Sequence, residues 1–348
     1  MKIAILLGAD ISENNGTTIR AKRIKKILEK EHDVILLDSK KKDFSNVLSQ
    51  IIDDMIWNLK LLFLIPGKKI QIVYMSSDFL GFFSIFLLSK LKKFKIIFEA
   101  HGILSEENIN KKRNKIIIKA TQIIEKFVIK NSDYIVALSS NIFNFYRKYN
   151  ENIELVPAFI NESVDFKPLD KSMNNGFKSI GIIGPFDMPA NKYYLEFIYK
   201  NIDKFKENLI FYVIGSCNNK INNEKIKYTN YIESYSEYLS LISSLNLVLI
   251  PSKISTSGPL NKILEAMLCS TPVLTTSEGV IGLDNIENHE NILIFDEEEI
   301  IEQINGDIFK GDLLERISSN ATEIINNYYS KGANEKKILN TVHYLIKT

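Results

Sequence analysis

The sequence predicts an α/β protein made of two Rossmann-like, doubly wound domains in tandem, and three observations carry that expectation. Short apolar runs alternate with longer amphipathic ones along most of the chain. The short runs are rich in Ile and Val and show no polar alternation, as expected of parallel strands covered on both faces. The alternation lapses once near the middle of the chain and then restarts, which marks two domains rather than one.

In the first half the predicted strands are Ile3–Leu7, Val34–Leu37, Ile70–Tyr74, Lys95–Phe98, Tyr134–Leu138 and Ile153–Val156. Helical periods lie between them. In Thr17–Lys30, for example, Ala21, Ile24, Ile27 and Leu28 share one face. A βαβα order with right-handed crossovers builds a doubly wound sheet. The stretch 161–177 has no apolar period and carries Pro168 and Gly176, so it reads as a linker between domains 1–160 and 178–330. Strands are predicted again at Ser179–Ile183, Leu209–Ile214, Leu247–Ile250 and Pro272–Thr275. The segment 331–348 reads as a helix free to cross back to the first domain. Two such domains in tandem leave a cleft, and ligands of these sheets bind beyond the carboxyl ends of the strands.

The bulk numbers fit this division. The 348 residues exceed one ordinary doubly wound domain, and 45% hydrophobic with 25% charged residues is ordinary globular composition. With 44 basic against 42 acidic residues the net charge is +2, so no overall field favours nucleic acid. Two cysteines, Cys217 and Cys269, exclude a disulfide framework and point to a reducing, cytoplasmic setting. The four histidines and two cysteines lack ligand spacing, so no structural zinc site is expected. The apolar start at Ile3 is followed by Asp10 and Glu13 and reads as a first strand rather than a signal peptide. No apolar run reaches the roughly 18 residues that a membrane span needs.

The chemistry concentrates after the strand that ends at Ile250. There the chain reads Ser257-Gly258-Pro259-Leu260-Asn261-Lys262-Ile263-Leu264-Glu265-Ala266-Met267. Pro259 suits the first helical position, which makes Gly258 the cap. A glycine cap offers no side chain to the next N–H groups. Those of Leu260 and Asn261, with the helix dipole, then favour an anion such as a diphosphate. Glu265, one turn after Asn261, can accept hydrogen bonds from ribose hydroxyls, although the helix pattern by itself reads it as a solvated carboxylate. Backbone near Tyr231 and Ile232, beyond the strand end at Gly215, is the expected place for the base. Neither Gly8–Gly16 nor Gly181–Gly184 fits G-x-G-x-x-G, so a nicotinamide cofactor is not expected.

These segments resemble the donor-site signature of retaining glycosyltransferase family 4. The resemblance extends over Thr271–Thr276 and Gly279–Leu283, over Phe98-Glu99-Ala100-His101-Gly102, over Ser132–Ser139, over Val156-Pro157 with Phe166-Lys167-Pro168, and over Gly184–Lys192. It implies the GT-B fold, two facing Rossmann-like domains with the acceptor on the first. It implies that Glu265 binds the nucleotide ribose, that Lys192 contacts the diphosphate, that Gly16 lies in the glycine loop after the first strand, and that His101 stands beside the reacting sugar. Gly184 falls in the first loop of the donor domain. The catalytic set is then His101, Lys192 and Glu265. The donor set is Gly16, Gly184, Lys192, Ile232, Ser257, Gly258, Pro259, Leu260, Asn261 and Glu265. Four positions depart from the family: Ser257 replaces its first Glu, which leaves sugar preference open; Pro185 replaces its Arg; and Cys269-Ser270 replaces a small-Gly pair.

The implied activity is transfer of a sugar from a nucleoside diphosphate sugar to a saccharide or lipid-linked acceptor, with retention and without a metal or other cofactor. A non-catalytic nucleotide-sugar-binding subunit and a sugar-nucleotide epimerase of the same fold are the alternatives. Asp53-Asp54 lies in a helical pattern and reads as a solvated face. Met55–Ile65 and Phe79–Leu88, the second followed by Lys90, Lys92, Lys93 and Lys95, suggest a peripheral contact with anionic lipid at the inner face of a membrane.

Overall fold

The structure, a computed structural model, describes residues 1–12, 16–39, 47–79, 81–160, 165–168, 176–253 and 258–347. It divides into two compact units, residues 1–159 with 332–348 and residues 160–331. Of the stretch 161–177 read as a linker, only 165–168 and 176–177 are among the described residues.

The first unit holds strands β1 (Lys2–Leu7), β2 (Asp33–Asp38), β3 (Ile72–Ser76), β4 (Lys95–Ala100), β5 (Tyr134–Ala137) and β6 (Ile153–Leu155). Its helices are α1 (Gly16–Leu28), α2 (Val47–Leu64), α3 (Phe82–Lys92), α4 (Leu104–Asn110), α5 (Lys115–Asn131) and α6 (Ser140–Tyr146). The strands pair in the order β2-β1-β3-β4-β5-β6, parallel throughout. β1 and β3 bury every residue from Ile3 to Leu7 and from Ile72 to Ser76, which explains their unbroken apolar sequence.

The second unit holds β7 (Lys178–Ile183), β8 (Leu209–Ile214), β9 (Ile226–Asn230), β10 (Leu247–Ile250), β11 (Val273–Thr275) and β12 (Leu293–Ile294), with α7 (Pro189–Asn201), α8 (Tyr235–Ser243), α9 (Asn261–Leu268), α10 (Glu297–Asn305) and α11 (Leu313–Ile324). Its order is β12-β11-β10-β7-β8-β9, again parallel. The sequence pattern misses β9 and β12. β9 is an edge strand, Ile-Lys-Tyr-Thr-Asn, of which only Ile226 is fully buried, so it lacks the doubly covered signature. β12 is two residues long.

The last helix, α12 (Lys331–Lys347), places Ile338, Val342 and Leu345 in the same buried cluster as Ile3, Ile5, Ala21 and Ile24 of the first unit. Lys30 and Glu335 form an ion pair across the same contact.

Doubly wound sheets reverse their winding at one point, and the crevice there is the usual ligand position. In the first unit the reversal lies between β1 and β3, beside the end of β4. In the second it lies between β7 and β10, so the loops after β7 and β10 flank it.

Candidate functional site

In the second unit α9 begins at Asn261, with Leu260 as its cap (φ −84°, ψ 106°). This corrects the expectation that Gly258 caps the helix and Pro259 opens it: the chain past Pro259 stays extended and turns helical two residues later. Leu260 makes no side-chain cap bond, so the chemistry foreseen for a glycine cap passes to the N–H groups of Asn261 and Lys262. Ser257 lies outside the described residues.

Glu265 sits one turn into α9 and is 8% exposed. Tyr238 donates to its Oε2 at 2.8 Å and Tyr235 to its Oε1 at 3.2 Å. Both tyrosines come from α8, where a spacing of three puts them on one face with rings 5.9 Å apart. Burial, then the charge of Glu265, pushes the Tyr238 hydroxyl well above its ordinary pKa, so it stays a donor. A carboxylate oxygen accepts more than one hydrogen bond. The two tyrosines therefore fix the carboxylate.

Lys262 is the residue that sequence reasoning passed over. It lies half-buried in the first turn of α9 and donates to the Ile183 carbonyl at 2.9 Å and to Asn191 Oδ1 at 2.6 Å. Its ammonium also lies 4.8 Å from the centre of the Tyr194 ring. Asn191 Nδ2 donates to the Pro185 carbonyl at 2.8 Å. These bonds tie the start of α9 to the end of β7 and to the loop that follows it. Burial lowers the Lys262 pKa to about 7, against the raising influence of Glu265.

That loop needs its glycine. A Cβ on Gly184 would lie 2.5 Å from the Phe186 ring and 2.8 Å from the Phe186 backbone nitrogen. Gly215, at the end of β8, has a φ of 123°, open only to glycine. Lys192, in the first turn of α7, is exposed, with its Nζ 3.5 Å from Glu196 on the same helix. Tyr231 is exposed and Ile232 half-buried just beyond β9.

In the first unit Gly16 opens α1, and His101 follows the end of β4. His101 Nε2 lies 2.8 Å from Glu99 Oε2 and 3.3 Å from Ser76 Oγ, and its Nδ1 lies 3.5 Å from Thr17 Oγ1. Glu99 is fully buried. It accepts from Arg20 Nε at 2.8 Å and from the Tyr74 hydroxyl at 2.7 Å. Burial alone would raise its pKa; Arg20 first, then His101 and Tyr74, override that and hold it at about 2. The ionised Glu99 favours the Nε2–H form of His101, which leaves Nδ1 as the acceptor nitrogen. Arg20 also donates to the carbonyls of Pro157 at 2.9 Å and Val156 at 3.1 Å, and stacks on Phe159 at 4.9 Å. A charged residue inside the apolar run of β4 was the signal for this network.

Two six-stranded parallel sheets with surrounding helices match the GT-B glycosyltransferase fold. Residues 178–306, most of the second unit, match the family model of glycosyl transferases group 1. The structure is similar over its length to sucrose-phosphate synthase from Thermosynechococcus elongatus, with a TM-score of 0.79, 14% identity and all of both chains covered. It is similar to the Anabaena protein HepE in complex with UDP, with a TM-score of 0.75, 14% identity, and 99% of this chain and 100% of that one covered. It also resembles the Staphylococcus aureus protein MnaA in complex with UDP, with a TM-score of 0.66, 16% identity, and 100% and 97% covered. No curated protein matches the chain by sequence.

Proposed function

We propose that this protein is a glycosyltransferase that takes its sugar from a nucleoside diphosphate sugar. The observation that carries the reading is the start of α9: a helix end without a side-chain cap, with Lys262 in its first turn and the buried Glu265 one turn on. The uncapped N–H groups bind the diphosphate, and Glu265 binds the ribose. Lys192 reaches the diphosphate from α7, and Gly184 lets backbone approach it. Gly258, Pro259 and Leu260 line the approach, and Ile232 lies where the base is held. Uridine is the base to test first, because HepE and MnaA were both solved with UDP.

Transfer proceeds with retention and without a metal. The cations and helix end steady the leaving diphosphate, which takes up the acceptor proton, and the ring of His101 is fixed by Glu99 for its part in the transfer. The acceptor is a saccharide or a lipid-linked saccharide. No helix among the described residues is long and apolar enough to cross a membrane. A peripheral contact is supported instead by exposed Leu59 and Phe63 on α2, Leu87 and Leu91 on α3, and Ile116 and Ile123 on α5, among Lys92, Lys115 and Lys119.

The test is thermal stabilisation and calorimetry with uridine, guanosine, adenosine and thymidine diphosphate sugars, followed by donor turnover. At least one should bind and be hydrolysed slowly or transferred. Binding without turnover under any acceptor would favour a non-catalytic subunit. Absence of binding by all four would overturn the donor site.

A further inference from the structure

Sequence spacing gives no reason to group the histidines, yet folding brings two of the four together. Glu31 and His32 lie in the turn between α1 and β2, and His343 lies near the end of α12. One donor atom from each of the three lies within 4.8 Å of the other two. His343 Nε2 is 2.8 Å from Glu31 Oε2, and the two imidazole rings stand edge to face at 6.1 Å between centres. From this cluster we infer a binding site for a zinc-like divalent cation that clamps α12 to the α1–β2 turn of the first unit.

The strongest support is His32 itself. Its Nε2 is shielded from solvent and has no hydrogen-bond partner among the described residues. A shielded imidazole nitrogen beside a second imidazole and a carboxylate has the surroundings of a metal ligand. Without a cation that shielded nitrogen is an unmet polar group, which costs on the order of 1–3 kcal/mol. A cation would satisfy it.

The donor set selects the ion. Two imidazoles and one carboxylate suit zinc or another borderline metal, whereas calcium and magnesium prefer oxygen alone. Tetrahedral zinc with bonds of about 2.0–2.1 Å sets its donors about 3.3 Å apart. Rotation of the exposed Glu31 and the part-exposed His343 by about an ångström brings the three donors to that spacing. Water takes the fourth position. The site lies in the first unit alone and is independent of the donor reading.

The test uses the full chain stripped with a chelator and titrated with zinc chloride, read by calorimetry and by thermal melting. One equivalent should bind, and saturating zinc should raise the melting temperature of the first unit by roughly 5 °C. His32→Gln and His343→Gln should each weaken binding by about tenfold or more. Cobalt(II) in place of zinc should give the intense visible bands of a four-coordinate site in the unsubstituted protein, a readout that needs no variant. The inference falls if zinc neither binds nor stabilises. It falls equally if both histidine variants bind as the parent does, or if cobalt shows only the weak spectrum of an octahedral aquo ion.

Discussion

The two strand-end sites use charge in opposite ways. At the end of β4 in the first unit, the buried Glu99 carboxylate is met by Arg20, Tyr74, Ser76 and His101. That cluster is complete without a ligand. At the β7–β10 reversal in the second unit, the Lys262 ammonium is met by a carbonyl and an amide oxygen, both neutral, and stands beside a helix end with no side-chain cap. There the two oxygens that touch the ammonium carry no charge, and the nearby carboxylate that acts on it is Glu265, one turn on and held by two tyrosines. A compensated cluster orients one side chain, His101; a cation met by neutral oxygens suits the anion binding proposed for the second site. The difference shows how strand ends of one fold can serve positioning in one unit and, on the proposed reading, binding in the other.

The largest effect should come from breaking the compensated cluster. Arg20→Met leaves Glu99 buried without its cation and removes the donors to Val156 and Pro157. Loss of one partner of a buried ion pair typically costs about 3–5 kcal/mol. Denaturant unfolding should show that loss in the transition of the first unit. A loss under about 1 kcal/mol would mean that the cluster is far better solvated than its burial implies.

The same contrast places the pH responses of the two sites in different windows, with stability falling as pH is lowered in each. Glu99 is held at about 2 in the folded state against an ordinary 4.5. Its stabilisation is fully present above pH 4.5 and is lost as pH falls from there toward 2, because the unfolded chain takes up the proton first. Lys262 is lowered to about 7 against an ordinary 10.5. Between pH 10.5 and 7 the unfolded chain binds a proton that the folded protein does not, so stability falls as pH is lowered through that window. Each change should amount to a few kcal/mol at most. The second unit should thus be more stable near pH 9 than near pH 7, and Lys262→Met should flatten that slope. A slope unchanged in the variant would show that the amine is charged and solvated in the folded state.

How much of this was legible in the sequence follows from where each signal is stored. Strands covered on both faces, such as Ile3–Leu7 and Leu247–Ile250, announce themselves by composition, and β9 escapes because an edge strand need not be apolar. Glu265 and His101 were singled out through motif resemblance, since a lone carboxylate or histidine beside a strand end has no local signature. Lys262 was not found, because what makes it unusual is its contact with Ile183 and Asn191, 79 and 71 residues away. Tyr235 and Tyr238 were within reach, as two aromatic hydroxyls three apart on one helix. The true start of α9 was not, because Gly258-Pro259 reads locally as cap and first turn, and the surrounding loop decides otherwise.

Of the effects on donor binding, that of Glu265→Ala should be the larger. A charge-assisted hydrogen bond to ribose contributes about 1.5–3 kcal/mol, so affinity for a nucleoside diphosphate sugar should fall roughly 10- to 100-fold. Free inorganic pyrophosphate, which has no ribose, should bind the variant as well as it binds the parent. Equal losses for both ligands would move Glu265 from ribose contact to support of the helix end.

Lys192 should give the smallest effect and sharpens the comparison most. Its side chain is 53% exposed and, among the described residues, pairs with Glu196 on its own helix. A solvent-facing charge contributes about 1 kcal/mol or less, and salt screens it over about 10 Å at 0.1 M. Lys192→Ala should therefore weaken donor binding only a few-fold at low salt, and the difference should vanish near 0.5 M salt, while the loss from Glu265→Ala persists. If the Lys192 effect instead reaches tenfold and ignores salt, the lysine must fold in over the bound diphosphate. The second site would then complete its charge balance from α7 on binding, as the first has already done from α1.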